Sequence, residues 1–315
     1  MSFATILEIV LAAVVLGLGV WTIAARETYA ATVGFVAYGL LVALVWVRLD
    51  AVDVALTEAA ISGGLAGVLL LGGAARLRAS EMDVAAETPG KLVRIGAAAL
   101  SVTITAALAA TVLLPPDPAP SLAPLAVANA SATGLANPVT NVLMAFRAMD
   151  TMLEKVVLLL AIVGVWSLAS DGVWGGRPGP RHRADPRGGL AFLARLLPPI
   201  GIVAGIYILW TGANRPGGAF QGGAVLAAMW LLVIMAGLTD TPPVSSRRLR
   251  LALIAGPGLF LVVGLGGLCF GQAFLAYPPT YAKPLILGIE VAMTLTIAVT
   301  LGLLVAGAPE RSGRS

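Results

Sequence analysis

Long apolar stretches run through almost all of this 315-residue chain and constrain its fold more than any other feature. A helix that crosses a bilayer needs about 20 mostly apolar residues, and nine stretches reach about that length. Because lipid offers no hydrogen-bonding partner for free backbone groups, each stretch is predicted to be helical. The sequence therefore predicts an all-α, polytopic membrane protein with about nine transmembrane helices. The stretches cover residues 3–24, 29–49, 52–75, 93–114, 152–170, 191–211, 219–238, 250–274 and 285–307.

Charged residues are too few to cover a water-facing surface. They make up 11% of the chain, against 58% for hydrophobic residues, whereas soluble domains carry about 25% charged residues. No basic residue precedes the first apolar stretch and a second stretch follows at once, so we expect a membrane span there and not a cleaved signal peptide. Lipid is therefore the expected solvent for most of the chain.

The distribution of Lys and Arg predicts the orientation, because cytoplasmic loops of membrane proteins are enriched in basic residues. With the N-terminus placed outside, all but five of the 20 basic residues fall in cytoplasmic segments. We therefore expect the N-terminus outside and the C-terminus in the cytoplasm, which requires an odd number of spans. The five basic residues on the outer side are Arg48, Arg147, Lys155, Arg215 and Lys283.

The cysteine and histidine content excludes several kinds of cofactor site. The chain has one cysteine, Cys269, and one histidine, His182. A haem held by two histidines, and zinc or iron–sulfur sites built from Cys and His, are thereby excluded. No phosphate-binding loop, hydrolase triad or metal-ligand spacing is present either. We expect no cofactor, bound metal or catalytic residue and no enzymatic activity, and the short basic loops give no reason to expect nucleic-acid binding.

Two charged loops divide the predicted spans into three blocks, which hold three, two and four spans. The first loop is 76–91 (RLRASEMDVAAETPGK). The second loop is 171–189 (DGVWGGRPGPRHRADPRGG), whose glycines and prolines predict a flexible cytoplasmic linker. We see no convincing internal repeat, which argues against a carrier built from two similar halves.

The segment before the fifth span is rich in Pro and Ala. Residues 115–136 are expected to be irregular and to lie over the outer membrane surface. Asn137 and Pro138 then predict an N-cap followed by a proline at the first helical position. A short helix over 138–148, lying along the outer interface, is the expected result.

Four glutamates lie inside predicted spans, where ionisable residues are costly and are candidates for function. At about 1.5 Å per residue, they lie roughly 3 to 11 Å from the outer ends of their spans. Asp53 and Asp150 lie nearer the outer surface. A carboxyl group in such a place can bind a proton reversibly or, with other oxygen ligands, hold Na⁺. The four are Glu8, Glu58, Glu154 and Glu290.

Each of these glutamates also has a purely structural interpretation. Glu8 and Glu290 lie close enough to the interface to reach it with their side chains. Thr151 and Glu154 fit the capping-box pattern, in which the glutamate bonds back to the N-cap amide. Glu58 lies deepest of the four, on a glycine-rich helix. Single substitutions separate the interpretations, because only a functional acid changes ion exchange when it is replaced.

The loop 212–223 (GANRPGGAFQGG) is the most distinctive stretch, with five glycines and a proline between two spans. Arg215 and Gln221 supply hydrogen-bond donors near the outer surface. Glycine-rich backbone can approach a neighbouring helix closely or expose carbonyl groups to an ion. The alternative is a tight turn that only joins two helices.

Three motifs resemble parts of Mrp-type cation/proton antiporters. The sequence DVALTEAAISGG at 53–64 resembles the MbhD-like element of the large Mrp subunit, which is a separate small subunit in membrane-bound hydrogenases. The sequence NPVTNVLMAFRAMDTMLEKVVLLLAIVGV at 137–165 resembles the two-helix MbhE-like element that follows it. The sequence GANRPGGAFQGGAVLAA at 212–228 resembles the four-helix MnhB/MrpB subunit, with Ala219 where the family usually has glycine.

The resemblance implies three domains in chain order. Residues 1–80 are the expected three-helix MbhD-like element. Residues 88–172 are the expected two-helix MbhE-like element with an outer amphipathic segment. Residues 190–310 are the expected MnhB/MrpB-like domain. The first two also resemble a membrane-arm subunit of respiratory complex I, which implies a π-bulge near Gly63 and Gly64.

The resemblance also implies roles for particular residues. Glu58, Arg147, Asp150 and Glu154 match positions tied to ion translocation or its coupling, and Pro216 and Phe220 match positions linked to antiport. Together with the acids and donors found above, they form the candidate site. The candidate residues for ion translocation and coupling are Asp53, Glu58, Arg147, Asp150, Glu154 and Glu290, and those of the motif loop are Arg215, Pro216, Gly217, Phe220 and Gln221.

The expected function is that of a membrane subunit of a multi-subunit Na⁺(cation)/H⁺ antiporter in the bacterial inner membrane. The long antiporter-like domain of the family is absent from this chain, so large antiporter-like subunits and small hydrophobic subunits are the implied partners. The same elements occur in redox-driven pumps, so a coupling subunit of a membrane-bound hydrogenase or another complex I relative is the alternative. A third alternative is a scaffold that only holds partners together.

Overall fold

The chain folds into helices and connecting loops, with no strand in the part of the chain that the structure describes. The structure is a computed structural model that describes residues 2–84, 90–116, 118, 120–183, 185, 187–270 and 273–309. Its helices are α1 (Phe3–Ala24), α2 (Thr28–Arg48), α3 (Val52–Glu58), α4 (Ala66–Val84), α5 (Lys91–Leu113), α6 (Ala123–Ala128), α7 (Pro138–Asn141), α8 (Ala148–Trp166), α9 (Gly189–Thr211), α10 (Ala219–Met235), α11 (Arg247–Cys269) and α12 (Ala282–Ala306).

Among the described residues, seven helical stretches are long and apolar enough to cross a membrane. The predicted spans 152–170 and 219–238 also coincide with helices, α8 and α10, but these differ from the rest. Helix α10 has 17 residues, because Gly237 turns to a left-handed φ of 68° just after it ends. Helix α8 is long enough but carries three charged residues, Asp150, Glu154 and Lys155. The all-α, polytopic membrane fold is confirmed, with α10 shorter than the seven and α8 carrying three charges within its 19 residues.

Two segments of the chain form π-helix, which is rare and often marks functional positions. The first π segment, Ala59–Leu65, joins α3 to α4 in one continuous helix. It contains the two glycines at which the sequence predicted a π-bulge, so that prediction is confirmed. The second π segment, Val142–Phe146, lies just before α8 and was not predicted.

Helix α12 forms the centre of the fold. It packs against α10, α11 and α8, while α9 packs against α10. Its apolar core positions recur every three or four residues, as on one face of a helix. Those core residues are Ile286, Ile289, Met293, Ile297 and Leu301.

Helix α2 organises the N-terminal part of the chain, since α1, α3, the first π segment and α4 all pack against it. This group meets the rest of the fold where α3 and the first π segment touch α10. Helix α5 is set apart from both groups, because nearly all of its residues are exposed. A membrane helix with no internal partner leaves its surface to lipid or to another subunit.

Loops that the charge pattern assigned to one side of the membrane meet at one end of the fold. By the outer end we mean the end with the loops that are predicted to lie outside, and the inner end is the opposite one. At the outer end, the amides of Ala136 and Asn137 donate to the carbonyl oxygen of Ala213. At the inner end, Gly179 N–H donates to the carbonyl of Ala308. The structure therefore fixes which loops share a side. Which side faces the cytoplasm remains a prediction.

The predicted flexible linker is wrong for residues 175–179, which form a fixed clasp at the inner end. The hydroxyl of Thr241 donates to the carbonyl of Pro178 over 2.6 Å. The amide of Gly179 donates to Ala308 O over 3.0 Å, and that of Val244 to Gly176 O over 2.8 Å. The glycines of this segment adopt the tight turns that its packing requires, and the hydrogen bonds then hold the segment in place.

The segment before α8 is more ordered than predicted. Within 115–136 the structure has α6 and a 3₁₀ helix, Ala130–Thr133. The N-cap prediction is confirmed, because the side-chain oxygen of Asn137 accepts from Val139 N–H over 2.9 Å. The predicted helix over 138–148 is instead α7 followed by the second π segment, and Arg147 is the N-cap position of α8.

Candidate functional site

A cavity of about 350 Å³ lies at the outer end of the fold. The N-terminal part of the chain (α1–α4), the middle part (α6–α8) and the C-terminal part (α9–α12) meet there. We call this space the acidic cavity. Its walls come from α3, α7, α8, α12, the two π segments, and α10 with the loop before it. Three acids, one lysine and several neutral polar side chains line it. These polar residues are Asp53, Thr57, Thr140, Thr151, Glu154, Lys155, Gln221 and Glu290.

Asp53 joins the N-terminal part of the chain to the glycine-rich loop. Its side chain is buried, and one carboxylate oxygen accepts from Gly217 N–H over 2.8 Å. The other oxygen lies 3.5 Å from the side-chain nitrogen of Asn137. A buried carboxylate is costly unless it is hydrogen-bonded. Asp53 therefore positions the loop as well as lining the cavity.

Gln221 makes a second connection between the same two parts. Its side-chain nitrogen donates to the backbone carbonyl of Asp53 over 3.3 Å and to the hydroxyl of Thr57 over 3.1 Å. Residues of α10 and α3 are thus held in one register along the cavity wall. The sequence identified Gln221 as a donor but could not identify its acceptors.

The middle part of the chain holds the other side of the loop. Asn137 donates from its side chain to the carbonyl oxygens of Gly212, over 3.1 Å, and Arg215, over 3.0 Å. The hydroxyl of Thr140 donates to the same Gly212 oxygen over 2.7 Å. All three parts of the chain therefore meet on one short loop.

The loop itself requires glycine at two positions. Gly217 and Gly218 have φ values of 143° and 133°, which side chains rarely adopt. A Cβ atom on Gly217 would lie 2.4 Å from the carbonyl oxygen of Ile208. Ala219 follows as the first residue of α10 and is buried, so alanine fits where the family usually has glycine.

The predicted loop residues divide into two sets. Gly217, Phe220 and Gln221 line the acidic cavity. Arg215 and Pro216 are exposed and face away from it. Since proline fixes its own φ, Pro216 shapes the approach to the two glycines without touching the cavity.

Glu290 is the most deeply buried acid of the cavity, with 3% of its surface exposed. Its carboxylate accepts from the backbone N–H of Ala219, and its Oε2 has no hydrogen-bond partner among the described residues. The side chain thus lies at the N-terminus of α10, where the helix dipole favours negative charge. Its unpaired oxygen points to water, a proton or a cation as its partner.

Lys155 and Glu154 form an ion pair on the opposite wall, with 2.6 Å between Nζ and Oε1. The lysine side chain is 2% exposed, whereas that of the glutamate is 49% exposed. The ammonium group also lies 5.3 Å from the ring centroid of Phe220, within the range of a cation–π contact. Phe220 therefore contributes both a wall and a partner for the lysine.

Glu58 lies outside the acidic cavity, although Thr57 beside it lines the wall. Its carboxylate accepts from the hydroxyl of Ser62 in the first π segment. It faces α2 near Gly39, where a Cβ atom would approach Glu58 Oε1 to 3.6 Å. Glu58 is thus coupled to the π segment and not to the other acids directly.

Two further ion pairs lie apart from the cavity. Arg147 and Asp150 pair over 2.5 Å and both side chains are largely exposed. Glu8 pairs with Arg48 over 2.6 Å, also exposed. The structure therefore does not gather Arg147, Asp150 or Glu8 into the site with the other candidates.

The capping-box interpretation of Thr151 and Glu154 is wrong. Helix α8 begins three residues earlier, at Ala148, so Thr151 is not its N-cap. The hydroxyl of Thr151 donates instead to the carbonyl of Leu143 over 2.6 Å. That bond ties α8 to the second π segment, an irregular turn that the local pattern did not indicate.

Lys155 was missed as a site residue. The orientation pattern counted it as an ordinary basic residue of the outer side. The signal that could have identified it is its position next to Glu154 inside an apolar run, since a lysine at that depth needs a partner. The neutral residues Thr57, Thr140 and Thr151 gave no comparable signal.

Two protein families match the chain. Residues 190–309 match the family described as a domain related to the MnhB subunit of the Na⁺/H⁺ antiporter. Residues 13–79 match the MbhD family, which is a subunit of MBH. A subunit of the Na⁺/H⁺ antiporter of Bacillus subtilis is 35% identical over 94 residues, which are 29% of this chain and 64% of that protein.

Two solved structures share the fold. The Mrp complex from Dietzia sp. contains a chain of 24% identity with a TM-score of 0.71, and the match covers 97% of this chain and 35% of that one. The membrane-bound sulfane sulfur reductase, an archaeal respiratory membrane complex, contains a chain of 24% identity with a TM-score of 0.51, and the match covers 67% of this chain and 98% of that one. Taken with the two family matches and the Bacillus subtilis relative, these structures show that the chain is similar to Mrp-type antiporter subunits, through an MnhB-related domain and an MbhD-related domain.

Proposed function

We propose that this chain is a membrane subunit of a multi-subunit Na⁺/H⁺ antiporter and that the acidic cavity is part of its ion path. The relationship to the Bacillus subtilis antiporter subunit supports the transport role. The observation that carries the proposal is the convergence of Asp53, Glu154, Lys155 and Glu290 on one cavity. Buried ionisable groups in membrane proteins are expensive and mark ion and proton pathways.

The arrangement suits reversible exchange of a proton and a cation. The Glu290 carboxylate has one oxygen without a partner among the described residues, and the hydroxyls and amide of the cavity supply further oxygens. Alkali cations bind to carboxylate, hydroxyl and carbonyl oxygens, in line with the preference of hard cations for oxygen ligands. Glu154, half-exposed and paired with Lys155, is the group through which charge at the cavity couples to the outer side.

The three parts of the chain have separate proposed roles. Residues 1–80 form an MbhD-like element with the π segment and Glu58, and residues 88–172 form an MbhE-like element with Arg147, Asp150 and Glu154. Residues 190–310 form the MnhB/MrpB-like domain, in which Pro216 and Phe220 belong to the loop motif. Asp53 and Gln221 couple the first domain to the third, so that a change at one cavity wall alters the others.

The partners in this proposal are large antiporter-like subunits and small hydrophobic subunits of one complex in the bacterial inner membrane. The chain spans 35% of the Dietzia chain that it matches. The complete exchange of Na⁺ for H⁺ is therefore assigned to the assembled complex. The exposed helices α1 and α5 are the surfaces left for lipid or these subunits.

Vesicle transport tests the proposal. We expect Glu290→Gln and Glu154→Gln to abolish Na⁺-dependent dissipation of a pH gradient in everted vesicles that contain the assembled complex. Glu8→Gln is the matched control, because Glu8 pairs with Arg48 away from the cavity. Unchanged exchange in both cavity variants, at equal amounts of assembled complex, would leave the chain with a scaffold role only.

A coupling subunit of a redox-driven pump is the second candidate. The shared fold with the archaeal sulfane sulfur reductase complex favours it. Affinity purification of the chain in mild detergent, followed by mass spectrometry, separates the two. Iron–sulfur or nickel-containing subunits in the purified complex would replace the antiporter proposal, whereas antiporter-like subunits alone would support it.

A further inference from the structure

A second cavity of about 500 Å³ lies at the inner end of the fold. We call it the inner wedge. Apolar side chains and glycines of α4, α8, α10 and α12 form its walls, and the clasp closes one side. The residues that decide its character are Leu69, Gly72, Gly73, Leu231, Leu304 and His182.

The inner wedge exists because the main contacts between the described N-terminal helices and the C-terminal helices α9–α12 lie at the outer end. There, Gln221 bonds to Asp53 and Thr57. Below that contact, α4 packs on α2 but shows no comparable packing on α8, α10 or α12 among the described residues. A Cβ atom on Gly72 or Gly73 would meet no atom within 4 Å. The space between the two helix groups is therefore open.

The walls of the inner wedge fit an acyl chain better than a protein helix. They extend over at most six residues of any one helix, from Val68 to Gly73 on α4. At 1.5 Å per residue this is about 7 Å, so a ten-residue helix of about 15 Å would project well beyond the walls, whereas a flexible acyl chain can bend within them.

The mouth of the inner wedge is basic. His182 lines the wedge, and Arg181 precedes it, two residues after the clasp. Both side chains are exposed, and Arg181 forms no ion pair with any described residue. The one acid in the adjoining loop surface, Asp240, is paired with Arg177. A positive charge that no described acid neutralises is thus held beside an apolar opening.

The clasp holds the backbone just before Arg181 and His182. Hydrogen bonds from Thr241, Gly179 and Val244 hold residues 176–179 against the end of α12 and the loop before α11. Basic pockets between membrane helices on the side with positive loops recruit anionic lipid headgroups. Here, the pocket and the charge are adjacent in one rigid feature.

We propose that the inner wedge is a binding site for a phospholipid with an anionic headgroup. Its acyl chain fills the space between α4 and the C-terminal bundle, and its phosphate contacts Arg181 and His182. The lipid completes the packing of the two helix groups at the end where protein contacts are missing. This site is separate from the acidic cavity and does not depend on the transport role.

Native mass spectrometry of the purified full chain, with any subunits that co-purify, tests the site. The protein is delipidated and exposed to an equimolar mixture of phosphatidylglycerol and phosphatidylcholine. We expect selective retention of phosphatidylglycerol. Arg181→Gln should lower the ratio of retained phosphatidylglycerol to phosphatidylcholine by about five-fold, the effect of one basic residue near an anionic lipid. Gly73→Leu should remove one retained lipid, because leucine fills the wedge.

The controls are chosen at matched positions. Arg248→Gln removes an exposed arginine that does not line the wedge, and Gly96→Leu adds the same side chain to α5, where a Cβ atom meets nothing within 4 Å. Neither should change the ratio or the number of retained lipids. Equal retention of the two lipids by the unmodified chain would overturn the charge assignment. Unchanged lipid retention in Gly73→Leu, or a partner helix cross-linked to Leu69, would overturn the site.

Discussion

Lys155 brings an amino group into a part of the molecule from which water is largely excluded. It has two partners, the Glu154 carboxylate at 2.6 Å and the ring of Phe220. Glu290, which lines the same cavity, has no described partner for one oxygen. Of the four ionisable groups that line the cavity, Asp53, Glu154 and Lys155 have described partners, and Glu290 has one oxygen without one. In the proposed transport role, a proton or cation at Glu290 would satisfy that oxygen.

Replacement of Lys155 tests its part in the transport role. We expect Lys155→Met to reduce the initial rate of exchange in vesicles by about ten-fold. The expected loss is smaller than the ~10²-fold that a group transferring the proton itself typically contributes, because Lys155 acts through its ion pair with Glu154. The methionine keeps the apolar stem and removes the charge that pairs with Glu154. Lys283→Met is the control, because Lys283 lies in the first turn of α12 and does not line the cavity. Equal losses in the two variants would contradict a specific role for Lys155.

The first π segment is the element that sets the rotation of α3 relative to α4. Its extra residue per turn shifts the faces of α4 relative to those of α3. On α3, Thr57 lines the acidic cavity, and the next residue, Glu58, faces α2 and bonds to Ser62 of the π segment. The packing that holds it is close, because a Cβ atom on Gly39 would lie 2.3 Å from Ser62 Cβ. The segment is thus stabilised from α2, outside its own sequence.

A methyl group at Gly39 should therefore disturb the π segment. We expect Gly39→Ala to lower the free energy of unfolding by about 1–3 kcal/mol, the usual cost of overpacking, and to reduce exchange. Thermal unfolding of the purified chain and vesicle transport are the measurements. Gly17→Ala on α1, where a Cβ atom meets nothing within 4 Å, should change neither. Indistinguishable unfolding of the two variants would show that α2 does not constrain the segment.

The whole molecule is held together at two ends by different means. At the outer end, a single loop accepts hydrogen bonds from the middle part of the chain and donates one to Asp53 in the N-terminal part. At the inner end, the clasp ties the loop before α9 to the C-terminal segment, and the inner wedge separates α4 from the bundle. The N-terminal helices are therefore fixed to the C-terminal helices at the outer end, where the proposed ion site lies, and are separated from them at the inner end.

Orientation in the membrane is the prediction that belongs to this scale. In a Cys269→Ser background, we expect Ser131→Cys to react with a membrane-impermeant maleimide added to intact cells, because the N-out arrangement places it outside. Ser245→Cys, exposed at the opposite end, should react only in everted vesicles. The reverse pattern would invert the topology and place the acidic cavity on the cytoplasmic side.

The sequence by itself determined the spanning helices, the cap at Asn137 and the family resemblance. Spans follow from hydropathy summed over about 20 neighbouring residues, and the cap at Asn137 follows from the residues beside it. Both depend on contiguous residues, so no tertiary information is needed. The π segment near Gly63 and Gly64 was predicted through the family resemblance, and the structure places it there.

Only the tertiary structure decided which of the candidate residues share a site. It brought Asp53, Glu154 and Glu290 to one cavity, left Glu58 beside α2, and placed Asp150 on the exposed surface with Arg147. Convergence of side chains depends on the rotation and packing of helices that are distant in sequence. Hydropathy does not specify how a membrane helix is rotated about its own axis, because lipid solvates every apolar face of the helix equally well. The hydrogen bonds that Asp53 accepts from the glycine-rich loop, and those that Asn137 donates to it, fix that rotation.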